Sequence, residues 1–395
     1  MQYLLIDSRP DLSRLFRYIA DAKSLFMKFL SANDLGLTGA HQAGIYLQKD
    51  SWPMFITEEG KIGENISKDI TLNWEEMQTE VSFKWYGSGT RSEYRLTRTG
   101  EYFRDREEHY TGSLLVICRS KEDEYFSWAL NHEEDIDDVL NFTGIAPSEA
   151  NGLVHFDLEE KIIPGAEQLL DKFGMNFPDT YSVSRKTWEI YDILYRQNQP
   201  DPDRMIVELI AMEYAIFRYI EKKIYSPLLH RKFSSVEDLL AVSLEVNNRR
   251  KSRAGKSLEH HLRFIFERNG LEFSHQETSE MDKRPDFIFP GSEAYRNPDF
   301  PGDRLFVLGA KTTCKDRWRQ VINEADRVKT KYIFTLQQGF TTAQLHEMKS
   351  SDVVMIIPEE YHGRCRKEDR SMLMTLSEFI AMVVRANGIQ ERLFP

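Results

Sequence analysis

The residues Lys311-Thr312-Thr313-Cys314-Lys315-Asp316-Arg317-Trp318-Arg319-Gln320-Val321-Ile322-Asn323-Glu324 follow directly on a strand-like stretch, Leu305 to Ala310. Upstream lie Pro285-Asp286-Phe287-Ile288-Phe289 and a helical stretch holding Glu259. Two acids, a lysine at a strand end and a later acid are the parts that hold Mg²⁺ and cut a phosphodiester bond. The metal neutralises the phosphate, a water is activated, and the leaving 3′ oxygen is stabilised. Carboxylates are hard oxygen ligands for such an ion, and a lysine beside them orients the water or helps deprotonate it. Asp286 at a strand start and Lys311 at the next strand's end converge if those strands pair. Beside them, Lys315, Asp316 and Arg317 have the chemistry to read a G·C pair: Lys and Arg donate to guanine N7 and O6, and Asp accepts from the cytosine amino group.

Each part taken alone has a plainer explanation. Pro-Asp before a strand is a common turn, Glu259 can pair with Arg263 one helical turn on, and Glu324 can be a solvated helix residue. Cys314 reads as a packed thiol, since no histidine adjoins it. Nuclease patterns commonly carry an acid two residues before the lysine, and that position is Gly309. Glu324 is the candidate replacement. On a helix starting at Asp316, residues Arg317, Val321 and Glu324 fall at i, i+4 and i+7 on one stripe. That stripe presents Arg317 to DNA and Glu324 to the metal, while Trp318, Ile322, Ala325 and Val328 form the buried face.

The elements that must position these residues follow from periodicity. The spacing of apolar residues predicts an amphipathic helix within Pro10–Leu30, and Ser31–Gly44 is a loop rich in Asn, Asp, Gly and Thr. From Ile45 to Phe142 short strand-like runs alternate with turns, among them Val81–Trp85, Tyr94–Thr97 and Ser113–Cys118, which predicts a β-rich domain. Residues 187–225 are helical in pattern, with a break near Asn198-Gln199-Pro200-Asp201-Pro202. Beyond Ser257 helices and strands alternate: a helix to Arg268, strands at Phe287–Phe289, Leu305–Ala310, Tyr332–Leu336 and Val353–Ile357, helices from Asp316 and at Thr341–Met348, and a last helix from Leu373. This is the order of an α/β layer with a partly parallel sheet. The expected division is a β-rich domain at 1–156, a connection at 157–179 and an α/β domain at 180–395.

At 395 residues the chain has room for two domains. Its 41% hydrophobic and 29% charged residues are ordinary for a globular protein. No stretch reaches the length of a membrane span, and no leader is expected at the start. Cys118, Cys314 and Cys365 form no CxxC pair and no zinc spacing, which fits a reducing cytoplasm without a structural metal. The net charge of −11, from 52 Lys+Arg against 63 Asp+Glu, argues against non-specific coating of nucleic acid. One local run, Arg249, Arg250, Lys251, Arg253 and Lys256, contains no acid and leads into Glu259. It is expected to meet a DNA backbone, although such a run alone reads as a solvated loop.

From Asn247 to Gln338 the chain closely resembles the EcoRII-type restriction endonucleases. The resemblance is carried by Asn247-Asn248-Arg249-Arg250-Lys251-Ser252-Arg253-Ala254-Gly255-Lys256-Ser257-Leu258-Glu259, by Pro285-Asp286-Phe287, by Lys311 to Gln320, and by Asn323-Glu324-Ala325-Asp326. It implies a restriction-endonuclease-like α/β domain, a mixed central sheet flanked by helices. It also implies metal-site acids at Asp286 and Glu324, a lysine at Lys311, a supporting acid at Glu259, a tyrosine near the site at Tyr295, and base reading by Lys315, Asp316 and Arg317. The implied target is double-stranded DNA at CC·GG sites separated by a central base pair. A looser resemblance covers Leu30-Ser31-Ala32-Asn33-Asp34, Gly36, Thr38, Gly39, His41-Gln42-Ala43-Gly44 and Arg95-Leu96-Thr97-Arg98. It implies a DNA-binding β pseudobarrel whose two loops, 31–42 and 95–106, grip a second copy of the target as effector. Its contacts would be Asn33, His41, Gln42, Arg95, Arg98, Arg104 and Arg106.

These implications describe a homodimeric, Mg²⁺-dependent type II restriction endonuclease with a cytosine methyltransferase as functional partner, since a dimer's two-fold axis matches a palindrome's. Two other readings stand beside it. A repair or structure-specific nuclease of the same fold would need no base-reading cluster. A DNA-binding regulator with an inert nuclease domain would fit the acid missing at Gly309.

Overall fold

In the computed structural model, which describes residues 10–38, 44–75, 77–89, 91–103, 108–156, 162–197, 199–280 and 283–388, the chain builds two sheets. The first half runs α1 (Leu12–Asp21), β1 (Ser24–Phe29), β2 (Ile45–Leu47), β3 (Asn65–Asn73), β4 (Gln78–Tyr86), β5 (Glu93–Thr97), α2 (Gly100–Phe103), β6 (Leu114–Arg119), β7 (Tyr125–Leu130), α3 (Glu133–Thr143) and β8 (Asn151–Leu153). Its eight strands lie in the order β2-β5-β4-β3-β7-β6-β1-β8, antiparallel except where β3 meets β7. The sheet curls until its edges approach: a Cβ on Gly152 in β8 would lie 3.1 Å from Cγ of Gln48, just past β2. Side chains along β6 alternate as a strand requires. Leu115 and Ile117 enter the interior of the curl with Phe26, Phe83 and Leu96, while Leu114, Val116 and Cys118 pack outside it against Leu15, Ile136 and Val139 of α1 and α3.

The expected strands at Val81–Trp85, Tyr94–Thr97 and Ser113–Cys118 correspond to β4, β5 and β6. The expected helix across Pro10–Leu30 is corrected: α1 stops at Asp21 and Ser24–Phe29 is β1. The run Leu25-Phe26-Met27 suits either period. Pairing with β6 and β8 on its two sides decides for a strand.

The second half opens with α4 (Ile163–Phe173), α5 (Thr180–Leu194), α6 (Pro202–Leu229) and α7 (Val236–Arg268). These pack against a sheet of β9 (Ser274–His275), β10 (Phe287–Phe289), β11 (Phe306–Lys311), β12 (Lys331–Thr335), β13 (Val353–Ile356) and β14 (Leu373–Met374). The strand order is β14-β13-β12-β11-β10-β9. Pairing is antiparallel from β9 to β11 and parallel from β11 to β14. Between the strands lie α8 (Ser292–Arg296), α9 (Trp318–Val321), α10 (Thr342–Ser350) and α11 (Glu359–His362), and α12 (Leu376–Asn387) closes the described chain. The last helix therefore begins three residues later than expected, at a capping box in which Thr375 accepts from the Glu378 N–H at 3.0 Å. Part of the expected connection at 157–179 is α4, whose Ala166 and Leu169 are buried in the same core as α5 and α6. Pro164-Gly165 read as a break, but proline is tolerated in the first turn of a helix. No helix among the described residues is long and apolar enough to cross a membrane.

Candidate active site

β10 and β11 pair with Phe287 opposite Leu308, and one further step of that register sets Asp286 opposite Gly309. The two-residue period then directs Asp286, Gly309 and Lys311 to one face, while Phe287, Leu308 and Ala310 enter the main core. Asp286 Oδ2 accepts the Ala310 N–H at 2.7 Å and stands 3.6 Å from Lys311 Nζ. Burial pushes the Asp286 carboxyl above its ordinary range. Lys311 and the Ala310 N–H pull it back, and the nearby Glu259 pushes it further up.

Glu324 reaches this face by a route the sequence did not suggest. The helix expected from Asp316 is only the short α9, and Glu324 sits in the turn after it, its N–H donating to the Val321 carbonyl at 3.0 Å. Ala325 follows with φ 84, in the left-handed region. Arg327 pins the turn by donating to the carbonyls of Ala294, Asn297 and Phe300 at 3.3, 2.7 and 2.5 Å. Trp318, Ala325 and Val328 are buried as expected and Ile322 partly so, but Val321, expected on the stripe with Arg317 and Glu324, is buried as well. Glu324 Oε2 is buried with no hydrogen-bond partner. Burial pushes this carboxyl up to about 7, with Lys311 pulling down and Asp286 pushing up. A Cβ at residue 309 would lie 3.0 Å from Val321 Cγ2 and 3.8 Å from Asp286 Oδ2. The place of the missing acid is thus taken by α9, and the turn behind α9 delivers Glu324 instead.

Glu259, on α7, completes the group. Its Oε2 accepts from Gln276 Nε2 at 2.7 Å and lies 2.9 Å from His275 Nε2. Neither partner was flagged in the sequence, and no motif marks them. Tyr295 is buried on the far side of the Glu324 turn: its hydroxyl donates to Glu280 and accepts the Arg327 N–H at 3.2 Å. It braces the turn, and among the described residues its hydroxyl bonds to Glu280 and Arg327 rather than to Asp286, Glu324, Glu259 or Lys311.

Among the described residues no three His, Cys, Asp or Glu side chains form a closed metal cage. Two carboxylates on one face, one with an unsatisfied buried oxygen, are nevertheless the donor set that Mg²⁺ takes. That ion binds one or two carboxylates and completes its shell with water and phosphate oxygens.

The N-terminal half engages the expected base-reading cluster at Lys315 and Arg317 and at the backbone between them, while the Asp316 side chain is exposed. Glu133, at the start of α3, accepts the backbone N–H groups of Lys315, Asp316 and Arg317 through Oε2 at 2.9, 2.8 and 3.2 Å, and its Oε1 pairs with the Arg317 guanidinium. Asp137 Oδ2 accepts a second bond from Arg317 at 2.7 Å. Lys315 is buried with its ammonium on Asn131 and Ser113, and burial lowers its pKa to about 8. Glu133 and Asp137 were missed, although Glu133-Glu134-Asp135-Ile136-Asp137-Asp138 is a dense acidic run.

The basic run expected at a DNA backbone lies wholly on α7. Arg253 is a correction: it is buried beneath Tyr214 and Phe217, where it serves the core. Arg250 pairs with Glu221 and donates to the carbonyls of Asn141 and Phe142, and Lys251 pairs with Asp138 at 2.7 Å. Arg249 bonds to Tyr225 and Glu245, while Lys256 is exposed.

Of the expected effector contacts, Arg95 is also corrected: it is buried, held by Glu93 and the Gly44 carbonyl. Arg98 is exposed, 3.6 Å from Asp69, and Asn33 accepts from the Thr38 hydroxyl at 3.0 Å. His41, Gln42, Arg104 and Arg106 lie outside the described residues.

Two family models match this chain, one in each half. The family described as EcoRII C terminal matches residues 217–380, and the family described as restriction endonuclease EcoRII, N-terminal, matches residues 20–155. Type II restriction enzyme EcoRII of Escherichia coli is 34% identical over 386 residues, covering 90% of this chain and 93% of that enzyme. Type II restriction enzyme SsoII of Shigella sonnei is 22% identical over 204 residues, covering 49% of this chain and 64% of that enzyme. A solved structure of metal-depleted Ecl18kI with uncleaved, modified DNA superposes with a TM-score of 0.46 at 18% identity, covering 60% of this chain and 88% of that one.

Proposed function

Because the chain belongs to the EcoRII family of type II restriction endonucleases, we propose that it cuts double-stranded DNA with Mg²⁺ at CC·GG sites separated by a central base pair. The observation that carries the chemistry is the shared face of Asp286, Lys311 and Glu324, with a Glu324 oxygen that no protein group satisfies. Asp286 and Glu324 would hold the ion, which when bound supplies positive charge to the phosphate and acidity to a water. Lys311, fixed against Asp286, orients that water for in-line attack. Glu259 supports the carboxylate arrangement, and Lys315, Asp316 and Arg317 read the G·C pairs. The alternative of an inert regulator loses its footing once Glu324 supplies the acid absent at Gly309.

A cut in both strands of a palindrome needs two such sites, hence a homodimer. The tip of the α6–α7 hairpin supports one. Val236, Leu239, Leu240 and Leu244 share a face of α7 and are 67%, 45%, 53% and 60% exposed, with Leu229 81% exposed beside them. A second copy packed on this face would cover it. Control by a second DNA copy is supported by the α3 acids on Arg317, which cannot hold them and a guanine at once. A cytosine methyltransferase protecting host sites would be the functional partner, in a reducing cytoplasm where the buried thiols stay free.

Plasmid cleavage with and without Mg²⁺ tests the reading. Asp286→Ala and Lys311→Ala should each lower the rate by on the order of 10²–10³-fold and leave specific DNA binding nearly unchanged. Substantial Mg²⁺-dependent cutting by either variant removes the assignment.

A further inference from the structure

We propose that Gln276, together with His275, is a positioning pair that fixes two of the site's carboxylates relative to each other. The inference rests on the reading of Glu259 as a support of the metal site. Gln276 touches both acids at once. Its backbone N–H donates to the Asp286 carbonyl at 3.0 Å, and its side-chain amide donates to Glu259 Oε2 at 2.7 Å. His275, in β9 opposite Phe287 of β10, brings its Nε2 to 2.9 Å from the same Glu259 oxygen. One oxygen of Glu259 is therefore occupied by two neighbours of Asp286, and the carboxylate cannot swing away without breaking both contacts.

The backbone supports this assignment. Gln276 has φ 52, a left-handed conformation that is costly for a residue with a side chain and that glycine adopts freely. Its side chain is exposed, so burial of apolar surface does not repay the strain. What the side chain does gain is the bond to Glu259. The electrostatics give that bond a task. Glu259 and Asp286 are both carboxylates, and like charges brought to one site repel when ionised. Neutral amide donation to Glu259, tied through one residue's backbone to Asp286, holds the pair at the separation the site needs before any cation arrives.

The test uses the full-length protein and a plasmid that it cuts. Gln276→Gly keeps the left-handed backbone and its N–H but removes the amide. His275→Phe keeps the ring that packs on Phe287, whose centroid is 5.0 Å away, but removes the donor. Three quantities are read: single-turnover rate at saturating Mg²⁺, the Mg²⁺ concentration for half that rate, and DNA affinity in Ca²⁺, with thermal midpoint as the check on folding. The double variant is expected to need about tenfold more Mg²⁺ and to lose a similar factor of Ca²⁺-supported DNA affinity, the usual range for partners that hold a metal-site carboxylate being about 10–100-fold. Its thermal midpoint and its DNA affinity without divalent ions should match the unaltered protein. Gln276→Gly alone should show the same change at smaller size, and it carries the test if the double variant folds poorly. Unchanged Mg²⁺ dependence and Ca²⁺-supported affinity, while Glu259→Gln is impaired, would overturn the positioning role and leave the reading of Glu259 standing. If Glu259→Gln itself matches the unaltered protein, that reading falls and the positioning role falls with it.

Discussion

Asp286 and Glu324 are both pushed toward their neutral forms by burial, and Lys311 is the cation that opposes this. The folded-state value for Glu324, about 7, lies above the ordinary carboxyl value of 4.5. A raised folded value means that folding favours the proton. That contribution is complete below about pH 4.5 and is lost as the pH climbs through about 7. Metal-free protein should therefore weaken between pH 5 and pH 8. Glu324→Gln, which cannot ionise, should be the more stable form at pH 8 by on the order of 1–2 kcal/mol once solvent screening is allowed for, and should show no such advantage near pH 4.5. Urea denaturation of both proteins across this range, without divalent ions, measures the difference; a constant gap at every pH contradicts it. Added Mg²⁺ should stabilise the unaltered protein most at the alkaline end, where Glu324 is free to bind it. Asp286 and Lys311 were legible in the sequence because a strand order and a two-residue period suffice to bring them together. Gln276 and His275 were not, because only the pairing of β9 with β10 carries them to Glu259. Arg95 and Arg253 misled for the opposite reason: charge in a sequence says nothing about whether a guanidinium is buried against its own carbonyls and rings.

At the scale of elements, strands read better than the connections between them. β10, β11, β12 and β13 fall within a residue or so of expectation, since their apolar runs are short and bounded by polar turns. The helix from Asp316 failed because its i, i+4, i+7 stripe is real as a pattern, but Glu133 holds the backbone at Lys315–Arg317 and Arg327 ties down the turn at Ala325. Tertiary bonds from both sides outweigh the local preference. Glu324 was expected here for a reason that proved geometrically wrong, yet it still arrives at the face of Asp286 and Lys311. The first half of α7 poses another question. From Val236 to Asn248 it buries no residue, although an isolated helix of this length is marginal in water. A second copy packed on that face would supply the missing contacts. Leu240→Glu with Leu244→Glu should turn a dimer into a monomer in sedimentation at micromolar concentration, and double-strand cuts into slow nicking. A double variant that sediments as the unaltered protein does would move the interface elsewhere.

At the scale of the molecule, the two halves are joined through the residues proposed to read DNA. Arg317 holds Glu133 and Asp137, Lys251 holds Asp138, and Arg250 holds the end of α3, so the acidic helix covers the surface that the proposed function assigns to an acidic duplex. On the proposed reading, target binding and this docking would compete for the same cations, and the docked state would be cleavage-incompetent. DNA bound to the first half shifts the equilibrium only if it binds the undocked form better. The unaltered enzyme should accordingly cut a plasmid with several sites faster than one with a single site. Removing charge from the clamp should abolish that preference. Glu133→Gln with Asp137→Asn keeps the shape of α3 and weakens the charge-assisted bonds to Arg317, each worth roughly 1.5–3 kcal/mol. The single-site rate should therefore rise about tenfold or more, while the many-site rate changes little. Full-length protein is the right material for this comparison. A fragment begun near Phe177 would strip away α4, whose Ala166 and Leu169 belong to the catalytic core, so slow cutting by such a fragment would report damage to that core. If the double variant keeps the unaltered enzyme's slow single-site rate, docking of α3 is not the brake, and a second DNA copy would have to act by assembling the active arrangement.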